Sequence, residues 1–371
     1  MLIDFVLFYV QGRGGVEDVV TLLSNELTKR GHRTRVFQAY PPYYSHWRDT
    51  LPEFHFYGEA IPYNQEHFSI EPYITAYAQT LHTLGAPDIV IATQQPFINY
   101  MCYVALYQEL GIEIPIISWI HGEPYVYSWT DLLKYATSHL AISKSIATQL
   151  KPFAIHSAVT YVGNPLNVKD QIPIARPTSD SLELLYIGRL DNEQKRVDLL
   201  LHALSKLEKG WHLTIIGDGA DAEMLKELAI SLQINDTIDW LGWIDSPWEV
   251  VQKASLFLLT SDYEGMPLVL IEALSRGIPA LATICGGAEE IVNPGENGFL
   301  IPKGDVDALY DLLHSILHHE VILPTAESCI QSVASFDTCE VCTNIEKVLY
   351  FEYLKSLLPK MLNAFMKFQI L

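Results

Sequence analysis

Short apolar runs alternate with segments of helical period along most of the chain, the pattern of βαβ units built around a parallel sheet. Leu2–Val10 reads as a buried strand, and a Gly-rich turn, Gln11-Gly12-Arg13-Gly14-Gly15, follows it. From Val16 to Arg30 the apolar residues Val19, Val20, Leu22, Leu23 and Leu27 recur at helical spacing, and Gly31 is placed to end that helix. Arg33–Ala39, Ile89–Ala92, Ile114–Trp119 and Leu140–Ile142 are further strands. Between Tyr40 and Tyr77 the alternation breaks into a stretch holding Tyr43, Tyr44, His46, Trp47, Phe54, Phe56, Tyr57 and Tyr63. It reads as long ordered loops, because a disordered linker would lack aromatics.

A second alternating series begins after Gly163-Asn164-Pro165 and a Pro-containing polar stretch that reaches Ser181. Its strands are Leu184–Ile187, His212–Ile216, Ile238–Leu241, Leu256–Thr260, Ile278–Ala282 and Phe299–Ile301. Ser246-Pro247-Trp248-Glu249 reads as a capping box opening a helix. The expected organisation is two doubly wound α/β domains, 1–165 and 166–340, facing each other across a ligand cleft at the carboxyl ends of their strands. A helical tail over 341–371 is expected to pack back on the first.

Composition narrows the function. With 371 residues, 49% of them hydrophobic and 18% charged, the chain is globular and long enough for two cores. A net charge of −20 repels phosphate backbones, so nucleic acid is not an expected partner. Residues 1–170 carry 10 basic and 15 acidic side chains and the remainder 14 and 29, so the N-terminal half is the less repulsive face for an anionic membrane or acceptor. Lys29, Arg30, Arg33 and Arg35 cluster at one turn, either as such a contact or as a solvated turn. Lys355, Lys360 and Lys367, set among apolar residues of the tail, are a second place for membrane contact. No apolar run approaches the ~18 residues of a membrane span. The N-terminus contains Asp4 and no basic flank, which favours a strand over a signal peptide. Five cysteines, an odd and low number, suit a reducing cytoplasm. Cys339-x2-Cys342 lacks the second pair that a zinc site needs.

The most informative stretch runs from Thr260 to Pro279. A strand ends, Glu264-Gly265 forms a loop, Pro267 opens a helix at its first position and Gly277 closes it. The free amides of Gly265, Met266, Leu268 and Val269 at that helix start suit an anion. Glu264 before the helix and Glu272 inside it suit two hydroxyl-bearing ends of one extended ligand. Gly188-Arg189 and Lys195 lie just past a strand, where two cations fit a diphosphate. Gly217 marks a tight turn, and Trp243, before Ile244, either flanks a flat base or packs. In the first half, Gly14-Gly15-Val16-Glu17 permits close backbone approach, and His121 follows an apolar strand, either poised toward a ligand or structural. No full dinucleotide fingerprint, P-loop, zinc-peptidase or nucleophile-elbow motif is present. Asp305-x-Asp307 reads as a helix N-cap rather than a metal site.

Together these residues resemble the retaining, GT-B-fold glycosyltransferases of family 4. Four elements match in order and spacing: Gly14-Gly15-x-Glu17, the strand-end His121, Gly188-Arg189-x5-Lys195, and Glu264-x7-Glu272 with Gly277-x-Pro279. The resemblance spans nearly the whole chain and is strongest from about 180 to 305. It implies that Arg189 and Lys195 hold a donor diphosphate and that Glu272 binds ribose hydroxyls. It further implies that Glu264, with the amides around Gly265, Met266, Pro267 and Leu268, holds the transferred sugar, and that His121 contacts that sugar near the reacting carbon. Gly14 or Gly15 would approach the phosphate or the acceptor, and the base would lie near Gly217, Trp243 and Ile244. The segment from Thr260 to Glu272, together with Ser246-Pro247-Trp248-Glu249, is similar in wording to bacterial lipopolysaccharide-core α-1,6-galactosyltransferases, which use UDP-galactose. Met266 stands where Phe is commoner. The implied activity is hexose transfer from a UDP-hexose to a glycan or glycolipid acceptor, with no metal or other cofactor, in the cytoplasm or on the inner membrane face. The rival readings are a sugar-nucleotide epimerase of the same fold and a non-catalytic nucleotide-sugar-binding protein.

Overall fold

Each hydrophobic strand series forms its own parallel sheet. In the computed structural model the chain divides into two units, Met1–Pro165 with Thr338–Leu371, and Leu166–Asp337. The structure describes residues 1–62, 68–177 and 181–368, with side chains in the last helix as far as Pro359; Tyr63 and the side chains of Lys360 and Lys367 lie outside the described residues.

The first unit holds β1 (Leu2–Val6), β2 (Arg33–Gln38), β3 (Phe54–Phe56), β4 (Ile89–Thr93), β5 (Ile116–Ile120), β6 (Ser138–Ala141) and β7 (Ala158–Tyr161). Their spatial order is β3-β2-β1-β4-β5-β6-β7. The second unit holds β8 (Leu182–Ile187), β9 (Trp211–Ile216), β10 (Ile238–Trp240), β11 (Leu256–Leu259), β12 (Ala280–Thr283) and β13 (Gly298–Ile301), ordered β10-β9-β8-β11-β12-β13. Both are doubly wound, as the GT-B expectation requires. In each, the strand order reverses beside the first strand, between β1 and β4 and between β8 and β11. An open α/β sheet binds ligands outside the strand ends at that reversal.

The aromatic stretch is more regular than its composition suggests. It contains a 3-10 turn (Ser45–Thr50), strand β3 and the start of helix Glu71–Leu84. Trp47 donates to Thr21 Oγ1 at 2.9 Å, the Tyr57 hydroxyl donates to Leu7 O at 2.7 Å, and Tyr73 and Tyr77 are buried. These rings are core, which explains why so many could gather outside the period-2 pattern; Tyr43, 78% exposed, is an exception.

The arginine cluster is not a free basic surface. Arg35 is fully buried, grips both oxygens of Asp4 at 2.7 and 2.8 Å, and caps the carbonyls of Leu84 and Gly85. Arg33 pairs with Glu53 at 3.0 Å. Arg30 pairs with Glu26 at 2.9 Å and reaches Glu346 at 3.2 Å, while His32 Nε2 meets the other Glu346 oxygen at 2.8 Å. Arg30 and His32 thus fasten the last helix, Thr338–Phe368, to the first unit.

Two helices differ from expectation. Pro247–Val250 begins where expected but is a single turn, and the Ser246 side chain makes no capping bond, while Trp248 donates to Glu272. Pro267 is the N-cap, with ψ 97°, and the helix itself is Leu268–Ser275. Asp305 does cap its helix, accepting from the Ala308 N–H at 2.9 Å.

Candidate active site

In the second unit, three loops meet at the sheet reversal. The first leaves β8. Gly188 there lies against Gly217, whose φ is 146° and whose added Cβ would fall 1.9 Å from Gly188 O. A Cβ on Gly219 would fall 2.3 Å from Leu190 O. These glycines bring the loops after β8 and β9 into backbone contact, sealed by Leu190 N donating to Asp218 O at 2.9 Å. The Gly242 carbonyl accepts from Gly217 N at 2.8 Å, which places the half-exposed Trp243 and the partly buried Ile244 in the adjoining turn.

The loop then forms a single helical turn, Asn192–Lys195, and Arg196 leaves it in the left-handed region at φ 50°. That conformation lets Arg196 bind Asp198 at 3.0 Å and Asp262 at 3.1 Å. Asp262 N donates to Gln194 O, the Gln194 amide donates to Tyr263 O, and the Thr260 hydroxyl donates to Lys195 O, at 2.9, 3.1 and 3.0 Å. The loops after β8 and β11 are therefore stitched together by backbone and side chain.

At their junction the Lys195 ammonium donates to Glu264 Oε1 at 2.5 Å, and the Ser261 hydroxyl donates to the same oxygen at 2.7 Å. Both side chains are largely shielded, 16% and 10% exposed. Arg189 lies on the same loop and points outward, 62% exposed, with Nη2 3.0 Å from Gln194 Oε1. Glu264 is also held from the third loop, which follows β12. Its N–H donates to Cys285 O at 2.8 Å, Gly287 N donates to its carbonyl at 3.2 Å, and a Cβ on Gly287 would fall 2.4 Å from Gly265 O. Met266 is buried there, 6% exposed. Beyond it the amides of Leu268 and Val269 precede the first helical hydrogen bond, from Leu270 N to Pro267 O.

Glu272 lies one turn inside this helix. Trp248 Nε1 donates to its Oε2 at 2.9 Å, and the Arg276 guanidinium sits 4.4 Å above the Trp248 ring. Burial pushes the Glu272 carboxyl above the ordinary range, opposed by the Trp248 bond and the Arg276 charge.

The first unit carries its own candidate residues at its own sheet reversal. Gly14, with φ 139°, caps helix Gly15–Lys29. Glu17 is buried and accepts from the N–H groups of Gly12 and Arg13, both at 2.9 Å. The acid of the Gly-Gly-x-Glu turn therefore shapes the loop. Gln94, directly after β4 and strained at φ 77°, accepts from Phe8 N and Tyr9 N at 3.1 Å each and donates back to Tyr9 O. His121 follows β5, its ring 4.4 Å from Trp119 and its Nε2 3.0 Å from Thr93 Oγ1. The Thr93 hydroxyl proton goes to Trp119 O at 2.7 Å, so Thr93 accepts from His121 Nε2–H. Burial lowers the His121 pKa to about 3, so the ring is neutral at pH 7 and Nδ1 is a hydrogen-bond acceptor.

Arg189, Lys195, Glu264 and the Gly265–Leu268 segment thus share one locus, with Gly217, Trp243 and Ile244 beside the same loops. Sequence reasoning missed Gln94, Ser261, Trp248 and the Gly286-Gly287 loop. The paired glycines after β12 were the available signal for the last; the others carry no motif.

Comparison with known proteins shows the family. Residues 13–170 match the family Glycosyltransferase Family 4, and residues 168–335 match Glycosyl transferases group 1. The lipopolysaccharide 1,6-galactosyltransferase of Escherichia coli K12 is 34% identical over 276 residues, 71% of this chain and 76% of that protein. The enzyme of the same name from Salmonella typhimurium is 34% identical over 243 residues, 64% of this chain and 67% of its own. Among solved structures, the apo lipopolysaccharide outer core galactosyltransferase WaaB superposes with a TM-score of 0.82 at 27% identity, covering 94% of this chain and 99% of that one. Anabaena Alr3699/HepE, solved with UDP and glucose, gives 0.77 at 20% identity, over 94% and 99%, and shares the fold. The family is one of transferases, which decides against the epimerase and the non-catalytic readings: this chain is a glycosyltransferase and belongs to the group 1, family 4 enzymes.

Proposed function

We propose that the chain transfers a hexose from UDP-galactose or UDP-glucose to a glycan or glycolipid acceptor in bacterial cell-surface polysaccharide synthesis, with retention and without a metal. The observation that carries this reading is the shielded Lys195–Glu264 pair at the β8/β11 reversal, beside the outward-facing Arg189. Departure of the sugar leaves negative charge on the diphosphate and positive charge at the anomeric carbon. Arg189, the remaining Lys195 N–H groups and the amides of Leu268 and Val269 form a preorganised cradle for the first. The Glu264 carboxylate, bonded to Lys195, serves the sugar and the second. Glu272 has Oε2 on Trp248 and offers its other oxygen to a ribose hydroxyl. Neutral His121 offers Nδ1 to a sugar hydroxyl, and Gly14 and Gly15 admit a phosphate or acceptor close to the backbone. The 1,6-galactosyltransferase activity of the two 34%-identical lipopolysaccharide enzymes supports galactose and a lipopolysaccharide acceptor. Tyr125 and Trp129, 65% and 45% exposed after His121, supply aromatic faces for acceptor sugar rings.

The same proposal includes peripheral contact with an anionic membrane face, through the tail helix rather than the arginine turn. Phe351, Leu354 and Leu358 share one helical face and are 62%, 59% and 57% exposed. After Glu352 the sequence carries Lys355, Lys360 and Lys367 and no acidic residue. Among the described residues no helix is long and apolar enough to cross a membrane.

A thermal-shift panel of UDP-, GDP- and ADP-sugars in EDTA, followed by mass spectrometry of the acceptor product, tests the reading. Stabilisation by UDP-hexose and a product heavier by one hexose are expected. Stabilisation confined to another nucleotide, or a strict metal requirement, would contradict it.

A further inference from the structure

His314 and His318 stand one helical turn apart at the end of helix Val306–Leu317, with His318 as its C-cap. Residues at i and i+4 project from one face of a helix. Their rings are 4.3 Å apart between centroids. Glu208 approaches from the connection between helix Val197–Leu204 and β9, with Oε1 2.6 Å from His318 Nε2. One ligand atom from each of the three residues lies within 4.8 Å of the other two.

The placement is built in. Leu207 packs against the second unit's hydrophobic core, and Lys206 bonds Asp307 at 2.6 Å at the start of the same helix. On the other side of Glu208, Gly210, at φ 119°, packs where an added Cβ would lie 3.3 Å from Leu317 Cδ1, and its carbonyl accepts from Leu182 N at 2.8 Å. The connection carrying Glu208 is therefore fixed on both sides, and the carboxylate is aimed at the histidine pair.

We propose that Glu208, His314 and His318 form a surface site for Zn²⁺ or a similar late first-row divalent cation, separate from the glycosyl-transfer site. Two imidazole nitrogens and one carboxylate oxygen are the donor set such ions favour, whereas Mg²⁺ and Ca²⁺ favour oxygen alone. A zinc ion takes such ligands at ~2.0–2.2 Å, so the three side chains must re-aim onto one point. His318 and Glu208 are 41% and 62% exposed and have room for it. Three protein ligands leave one position for water. The bound ion cross-links the end of helix Val306–Leu317 to the connection after helix Val197–Leu204, and so stabilises the second unit.

The test is calorimetric titration of Zn²⁺ into untagged, chelator-stripped full-length protein, with thermal unfolding alongside. Cys339→Ser/Cys342→Ser is the background, so that thiols do not contribute. One equivalent is expected to bind and raise the unfolding temperature, because the ion binds the native state preferentially. His314→Ala and His318→Ala should each abolish the one-equivalent isotherm and the shift. Glu208→Gln should weaken binding by about the ~10–100-fold that ligand-shell changes cost. The metal-free unfolding temperature of each variant reports its fold. Absence of binding in the parent, equal binding in the histidine variants, or equal response to Mg²⁺ would overturn the site.

Discussion

Lys195 and Glu264 lie 69 residues apart in sequence and 2.5 Å apart in space. Removing the lysine leaves a shielded carboxylate with Ser261 as its remaining side-chain donor and deprives the diphosphate cradle of a cation. Lys195→Ala is expected to lower kcat by ~10²–10³-fold, the range for loss of one preorganised donor. It should also destabilise the fold by about 1–3 kcal/mol through the stranded carboxylate. Steady-state kinetics and urea unfolding check the two separately; wild-type turnover would remove the assignment. His121 gives a pH prediction. Its pKa falls from 6.5 to about 3 on folding, so between those values the unfolded chain binds the proton and the native one does not. Stability contributed by neutral burial is present above pH 6.5 and lost as pH falls toward 3. His139, lowered by burial to about 4, acts in the same direction. His121→Gln should therefore flatten the decline of Tm between pH 6.5 and 4, and an unchanged slope would contradict the partly buried neutral ring. Motif spacing made Arg189, Lys195, Glu264 and Glu272 legible in the sequence. Gln94, Ser261 and Trp248 were not, because each acts through a partner supplied by the folded loops, as Gln94 does on Phe8 and Tyr9.

The loop after β9 can meet the loop after β8 only because residue 217 lacks a side chain. Gly217→Ala would drive a Cβ to 1.9 Å from Gly188 O and push the loop after β9 away from the loop carrying Arg189. It should lower both Tm and UDP affinity, whereas Gly242→Ala, at φ 67° with nothing within 4 Å, should cost only the ~1 kcal/mol of an unfavourable backbone region. Equal effects in thermal unfolding and calorimetry would show that loop contact is not what Gly217 supplies. Strands buried on both faces, such as β1, β4 and β5, were legible as continuous apolar runs. β3 and β7 were not, since each is short and only partly covered, with histidine in one and exposed ends in the other. The helix expected from Ser246 is one turn long, ending where Val251 adopts an extended backbone.

A molecule with net charge −20 is repelled by an anionic lipid surface, and the sequence after Glu352 is the local exception. Cosedimentation with vesicles rich in anionic lipid should retain the protein at low salt. Binding should weaken as salt rises and disappear in Phe351→Ser/Leu354→Ser/Leu358→Ser with turnover of a soluble acceptor unchanged. Retention of that variant would place the contact elsewhere. At this scale the fold and the family were legible because four motifs occur in register over both halves of the chain. The role of the basic turn stayed open, because the sequence of Arg30, Arg33 and Arg35 does not reveal that Glu346, Glu53 and Asp4 come to meet them. The measurement that tests the account most directly is calorimetric titration of UDP, in EDTA, into wild type and Arg189→Ala. The account predicts binding to wild type and a ~10–100-fold weaker affinity in the variant, the value of a charged hydrogen-bonding partner to a phosphate. Equal affinity in the two proteins, or no UDP binding by wild type, would contradict it.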